Sequence, residues 1–254
     1  MKTNILGKTG MEISAVIFGG IIVGGETAED CMRYVSYAVD KGVNYFDVAP
    51  SYGNAQEMLS PALAPYRKNV YLACKSTLRN SGIKDELYNS LKVLKTDYFD
   101  VYQLHGLSST KDVDEAFSEN GAMEVLLRAK EDGYIRHIGI TAHSEDAAIQ
   151  ALAYYDFATV MFPVNWALSI DRGLGNNLIN ICKYRNKGVL AIKALAHRLW
   201  ADENEKQRSP KSWCKTIYDN DALAKAVIKY TLSKGVHAIT PRGISSSLRI
   251  SPSI

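Results

Sequence analysis

The sequence has no Lys/Arg cluster and no charged tail. Its 30 basic and 27 acidic residues are mixed along the whole chain and leave a net charge of +3. That distribution lacks the concentrated positive field a nucleic-acid binder needs, so no nucleic-acid partner is expected, although a mild positive excess suits a site that holds phosphates. The four cysteines, Cys31, Cys74, Cys182 and Cys214, stand far apart with no C-x-x-C pair. Neither a disulfide framework nor a metal site follows from that spacing, and reduced thiols in a cytoplasmic protein are expected, with no metal. The one apolar run that imitates a membrane span, residues 15–25, contains four glycines and is far shorter than the roughly 20 residues a span requires. No small-residue cleavage site follows it, so neither a membrane partner nor a secretory leader is expected.

What is present is an alternation. Short β-branched or aromatic runs at 15–18, 45–48, 70–74, 100–104, 137–140, 159–162, 189–192 and 237–239 are separated by amphipathic stretches. Helices are expected at 27–41, 55–64, 83–94, 114–132, 144–155, 173–186 and 219–234, each apolar on one face. Thr27 and Ser144 are the expected N-caps, the latter in a partial capping box, and Gly42 ends the first helix. Eight strands with a helix in each crossover predict a parallel sheet. Gly7-Lys8-Thr9-Gly10 is a turn-like tetrapeptide between two short apolar segments and predicts an N-terminal hairpin under the sheet. Residues 201–212, the most polar and least periodic stretch, predict a surface loop. No linker interrupts the series, so residues 1–254 are expected to form one domain.

Two α/β architectures compete, an open doubly wound sheet and a (β/α)8 TIM barrel. An open dinucleotide-binding sheet should carry G-x-G-x-x-G after its first strand, whereas Gly19-Gly20 and Gly24-Gly25 have the wrong spacing. Eight regular units favour the barrel. In a barrel the chemistry lies at the carboxyl ends of the strands. Strand two ends at Asp47 and leads to Tyr52, strand three ends at Lys75, and strand four ends at His105. A lysine kept charged by a carboxylate stabilises a phenolate beside it and makes that tyrosine a usable proton donor. A nearby imidazole can donate a hydrogen bond to a carbonyl oxygen. Such a set reduces a carbonyl once a hydride donor such as a nicotinamide is supplied. Taken singly each residue has a plainer reading: a turn aspartate, a paired lysine, a packing tyrosine, a satisfied core histidine.

Asn44-Tyr45-Phe46-Asp47-Val48-Ala49-Pro50-Ser51-Tyr52-Gly53 resembles the strand-two signature of the aldo-keto reductases. Leu6-Gly7-Lys8-Thr9-Gly10 resembles the opening of that family. The segment from Thr96 to His105 is similar to its second signature, and Gly133-Tyr134-Ile135-Arg136-His137-Ile138-Gly139-Ile140 to the entry into strand five. The resemblance is to bacterial members related to potassium-channel β subunits and to iron-sulfur-domain aldo-keto reductases, without the extra domain. It implies a catalytic tetrad of Tyr52 as general acid, Lys75 and Asp47 as its tuning pair, and His105 as the donor that orients the carbonyl. It also implies NADP(H), with NAD(H) as the alternative, across the barrel mouth, and a small-molecule carbonyl substrate.

Cofactor contacts depart from the family pattern. Where the family has a Ser-Asn pair and a Gln, this chain has Thr141-Ala142 and Met161, so Thr141 is the expected carboxamide partner, with His143 or Asn165 as substitutes. His143 equally suits a helix cap. Lys193 stands where the family passes the pyrophosphate. Thr240-Pro241-Arg242-Gly243-Ile244-Ser245 is similar to the adenosine-phosphate loop, with Arg242, Ser245 and Arg249 as expected contacts or, for the arginines, solvated charges. A shortened C-terminus is expected, because few residues remain after strand eight for the family's helix and tail. Two other functions stay open: an NADP(H)-binding regulatory or partner protein with little turnover, and an aldolase using Lys75 as a Schiff-base nucleophile.

Overall fold

In the computed structural model, the structure describes residues 1–207, 211–217 and 220–241. The eight barrel strands are β1 (Phe18–Gly19), β2 (Tyr45–Asp47), β3 (Tyr71–Ser76), β4 (Phe99–Leu107), β5 (Ile135–Ala142), β6 (Thr159–Pro163), β7 (Gly188–Ile192) and β8 (Ala238–Thr240). They lie in one parallel sheet in chain order. The sheet closes on itself: Val16 bridges Ile239, Ile17 N–H donates to the Ile239 carbonyl at 3.0 Å, and Ile239 N–H donates to the Ala15 carbonyl at 2.9 Å. The expected (β/α)8 barrel is what forms, and closure joins the first and last strands of the eight-stranded sheet.

Side chains alternate across each strand. Tyr45, Ala73, Val101, Met161, Leu190 and Ala238 face the barrel interior with Ile17, while Phe46, Leu72, Tyr102, Val160, Val189 and Ile239 pack outward against helices. The floor is plugged from below by the predicted hairpin, in which Thr3–Ile5 pairs antiparallel with Glu12–Ser14 and Leu6 and Ile13 are buried. Gly7 makes the plug fit. It sits at φ +49°, and a Cβ there would lie 2.4 Å from the Gly188 nitrogen, so any other residue meets backbone it cannot displace.

The helices are α1 (Ala28–Asp40), α2 (Ala55–Leu63), α3 (Ile83–Leu94), α4 (Thr110–Ala116), α5 (Ala122–Glu131), α6 (Glu145–Tyr154), α7 (Trp166–Asp171), α8 (Asn176–Tyr184), α9 (Glu203–Gln207) and α10 (Asp221–Ser233). Thr27 caps α1 by accepting from Asp30 N–H, and Ser144 caps α6 by accepting from Ala147 N–H. Of the helix expected at 219–234, Asn220 is the cap of α10, and residue 219 lies outside the described residues.

Three expectations are corrected. The single helix expected over 114–132 is two, α4 and α5, because a turn at 117–121 interrupts it. Gly121 N–H donates to the Ser118 carbonyl, and Asn120 takes φ 59°. Apolar spacing continues across that break through Val113, Ala116, Met123 and Leu126, which is why periodicity alone missed it. The helix expected from 173 starts at Asn176, since Gly173 and Gly175 both adopt positive φ in the preceding turn, and α7 lies before it. The stretch at 201–212 is not bare loop. It contains α9 and belongs to an excursion whose ends pair as an antiparallel ribbon, Ala196–Arg198 with Lys215–Thr216. Residues 208–210 of that stretch lie outside the described residues. Among the described residues no helix is long and apolar enough to cross a membrane.

Candidate active site

The period of two that buries Tyr45 and Ala73 brings the next inward residue of each strand to the carboxyl-end mouth. On β2 that residue is Asp47, and on β3 it is Lys75. The two form an ion pair with the Lys75 and Asp47 side chains 1% and 4% exposed. Tyr52 reaches the same spot from the short turn Pro50–Tyr52, where Tyr52 N–H donates to the Ala49 carbonyl and Gly53 takes φ 64°. The Lys75 ammonium lies 5.2 Å from the centre of the Tyr52 ring. On β4 the inward series Val101, Gln103 leads to His105, whose imidazole meets Tyr52 edge-on with ring centres 5.9 Å apart. All four residues expected to act together therefore converge.

Electrostatics in this cluster favour a charged lysine. Burial by itself pushes the Lys75 ammonium down, but the Asp47 carboxylate and the Tyr52 phenol outweigh burial and hold it above the usual lysine value.

The cluster opens into a cavity of about 530 Å³ at the strand ends. Its lining mixes apolar side chains, Ile21, Met161, Ile192 and Trp213, with the polar Thr141, His143 and Lys193, and Thr141 stands beside Met161 on the neighbouring strand. The helix cap next to His143 is Ser144, which leaves the His143 imidazole on the cavity wall. The Thr141 hydroxyl oxygen accepts from Gly106 N–H at 2.6 Å, so Thr141 braces the end of β4 as well as lining the cavity. Asn165 is buried and caps α7, its side-chain oxygen accepting from Leu168 N–H at 3.0 Å. Lys193 stands at the rim in a left-handed conformation, φ 62°, a strain that non-glycine residues adopt where the surroundings impose it. Arg242, Ser245 and Arg249 lie outside the described residues. Among the described residues no group of three or more His, Cys, Asp or Glu side chains gathers as metal ligands.

Several wall residues were not singled out from the sequence. Ile192 and Thr240 were legible, being the inward residues that end β7 and β8. Trp213 was not. It arrives from the excursion after β7, which is tied across the mouth by Lys211: its ammonium donates to the Ile22 carbonyl at 2.8 Å and pairs with Glu26. Arg79 was also missed. It follows β3 and donates from Nη2 to the backbone carbonyl of His105 at 2.7 Å.

Residues 15–239 match the model of the Aldo/keto reductase family. An oxidoreductase of Bacillus subtilis, YqkF, is 31% identical over 157 residues, 56% of this chain and 49% of that protein. L-galactose dehydrogenase of Arabidopsis thaliana is 26% identical over 252 residues, 92% of this chain and 76% of that protein. The chain thus spans about half of the first relative and three quarters of the second. Among solved structures, an aldo-keto reductase from Bacillus halodurans in its holo form superposes with a TM-score of 0.78 at 21% identity, covering 99% of this chain and 90% of the other, a likeness of fold. The chain belongs to the Aldo/keto reductase family.

Proposed function

We propose that this member of the aldo/keto reductase family reduces small-molecule aldehydes or ketones to alcohols with a nicotinamide cofactor, NADP(H) or NAD(H), and that Tyr52 supplies the proton. The observation that carries this reading is the buried Lys75–Asp47 pair beneath Tyr52, with His105 edge-on to the same ring, at the mouth of one cavity. The wall fits such a cofactor. It combines apolar side chains with Thr141, His143 and the strained Lys193, which are groups suited to an amide and to phosphate oxygens. When bound, a reduced nicotinamide supplies the hydride.

The chain's own residues do the rest. The His105 imidazole donates a hydrogen bond that orients the substrate carbonyl. As negative charge develops on that oxygen, the Tyr52 hydroxyl proton moves to it, and the phenolate left behind is stabilised by the Lys75 ammonium. Asp47 keeps Lys75 charged and in place inside a barrel that would otherwise favour its neutral form. The apolar wall of Ile21, Met161, Ile192 and Trp213 displaces water from the carbonyl.

Following NADPH consumption with a panel of aliphatic and aromatic aldehydes tests the reading. Turnover is expected, reduced by about 10²–10⁴-fold in Tyr52→Phe with NADPH affinity retained. Consumption by the unaltered protein no faster than by Tyr52→Phe would overturn it. If NADPH still bound tightly, a non-turnover binding role would take its place.

A further inference from the structure

The peptide unit between His105 and Gly106 is gripped at both of its polar ends. Its carbonyl, on His105, accepts from Nη2 of Arg79 at 2.7 Å, and its N–H, on Gly106, donates to the Thr141 hydroxyl at 2.6 Å. Gly106 takes φ 73°, a conformation open to glycine, so the chain turns sharply just after the imidazole-bearing residue. Two hydrogen bonds at right places on one peptide plane fix ψ of His105 and φ of Gly106, and with them the direction in which the His105 side chain leaves the strand.

Arg79 is itself held. Its carbonyl accepts from Ala122 N–H at 2.8 Å, and the neighbouring Asn80 bridges Gly121. Its guanidinium is badly placed for stability: Nε and Nη1 are buried and complete no hydrogen bond among the described residues. Burial pushes it below the usual arginine value, against the partial compensation of Asp112 and Glu115. A water molecule or a neutral side chain would satisfy one backbone carbonyl at less cost. A fold retains such a group where the site, not the core, requires it.

We propose that Arg79 is a positioning residue of the active site, holding the His105–Gly106 peptide from the carbonyl side while Thr141 holds its amide side, so that the imidazole leaves β4 in the direction that meets the Tyr52 ring. This rests on the reductase reading above, in which the His105 imidazole donates to the substrate carbonyl.

The test is NMR of the histidine rings, together with steady-state kinetics, in the unaltered protein, Arg79→Met and Arg79→Gln. The chain has five histidines, so the His105 ring is assignable by difference against His105→Asn. Arg79→Met should shift the His105 ring resonances and weaken their contacts with the Tyr52 ring, because the peptide loses its carbonyl-side donor. It should lower kcat about tenfold with NADPH affinity unchanged and leave the thermal midpoint unchanged or higher. Arg79→Gln keeps a donor to the carbonyl, so it should move the ring less and lose less kcat. Unmoved His105 resonances in Arg79→Met overturn the proposal, as does an activity loss that tracks a lowered thermal midpoint. Should the unaltered protein show no turnover, the reductase reading fails, while the ring resonances still decide whether Arg79 positions His105.

Discussion

Lys75 and Asp47 meet as an ion pair inside the barrel mouth, their side chains 1% and 4% exposed. A pair so buried is worth little over a well-packed apolar pair, yet removing one partner strands the other charge out of water. Lys75→Met should therefore destabilise the fold by about 3–5 kcal/mol, and the double variant Lys75→Met with Asp47→Leu by clearly less than the sum of the singles. Urea unfolding at neutral pH measures both, and additive losses would show that the pair is not coupled. Because Lys75 is held above its ordinary value of 10.5, the stability it contributes is fully present below that pH and is lost only as pH rises beyond it.

Lys193 combines a cation with a left-handed backbone at the cavity rim. Asparagine tolerates that conformation and removes the charge. If Lys193 holds a cofactor phosphate, Lys193→Asn should weaken NADPH binding by about 10–100-fold, the scale of one charged hydrogen bond, and the deficit should shrink as salt is added. Quenching of Trp213, which lines the same cavity, reports the affinity. Equal dissociation constants at low salt would remove Lys193 from the site.

Within the excursion after β7, Glu205 gathers contacts from both ends of the ribbon. Glu205 accepts from both terminal nitrogens of Arg198, from Ala201 N–H, and lies 3.3 Å from Lys215. The Arg198 hydrogen bonds and the Ala201 amide pull it from the ordinary 4.5 to about 2. A depressed carboxylate stabilises the folded form above its unfolded pKa and loses that contribution as pH falls through the folded value. Between about pH 4.5 and about 2 the ribbon should loosen before the barrel does. Trp213 fluorescence and limited proteolysis by pepsin within 196–216 should change in that window, and Glu205→Gln should show the loosened behaviour already at neutral pH. A ribbon that melts only together with the barrel would contradict this.

The eight strands and most helices were legible because each has a local cause. A strand shows itself by β-branched runs, a helix by its apolar face and its cap, and the observed bounds of α3, Ile83–Leu94, match the expected ones. The break between α4 and α5 was hidden for an equally local reason: five turn residues carry the apolar spacing across without a phase change. Asn165, an expected cofactor contact, caps with its side-chain oxygen the start of α7, a helix that no periodicity announced.

What the sequence determined by itself is the inward series. Once strands of period two are granted, Asp47, Lys75 and His105 must face the same mouth from the carboxyl-end parts of their strands, β4 running two residues past His105, and Tyr52 follows five residues after Asp47 by the turn its Pro50 and Gly53 permit. What only the tertiary structure decided is which distant segments reach that mouth. Lys211 finds Glu26 across 185 positions, bringing Trp213 to the wall, and Arg79 finds the His105 carbonyl across 26. Contacts of that kind depend on where a loop lands after the barrel has closed, and no spacing within either segment encodes it.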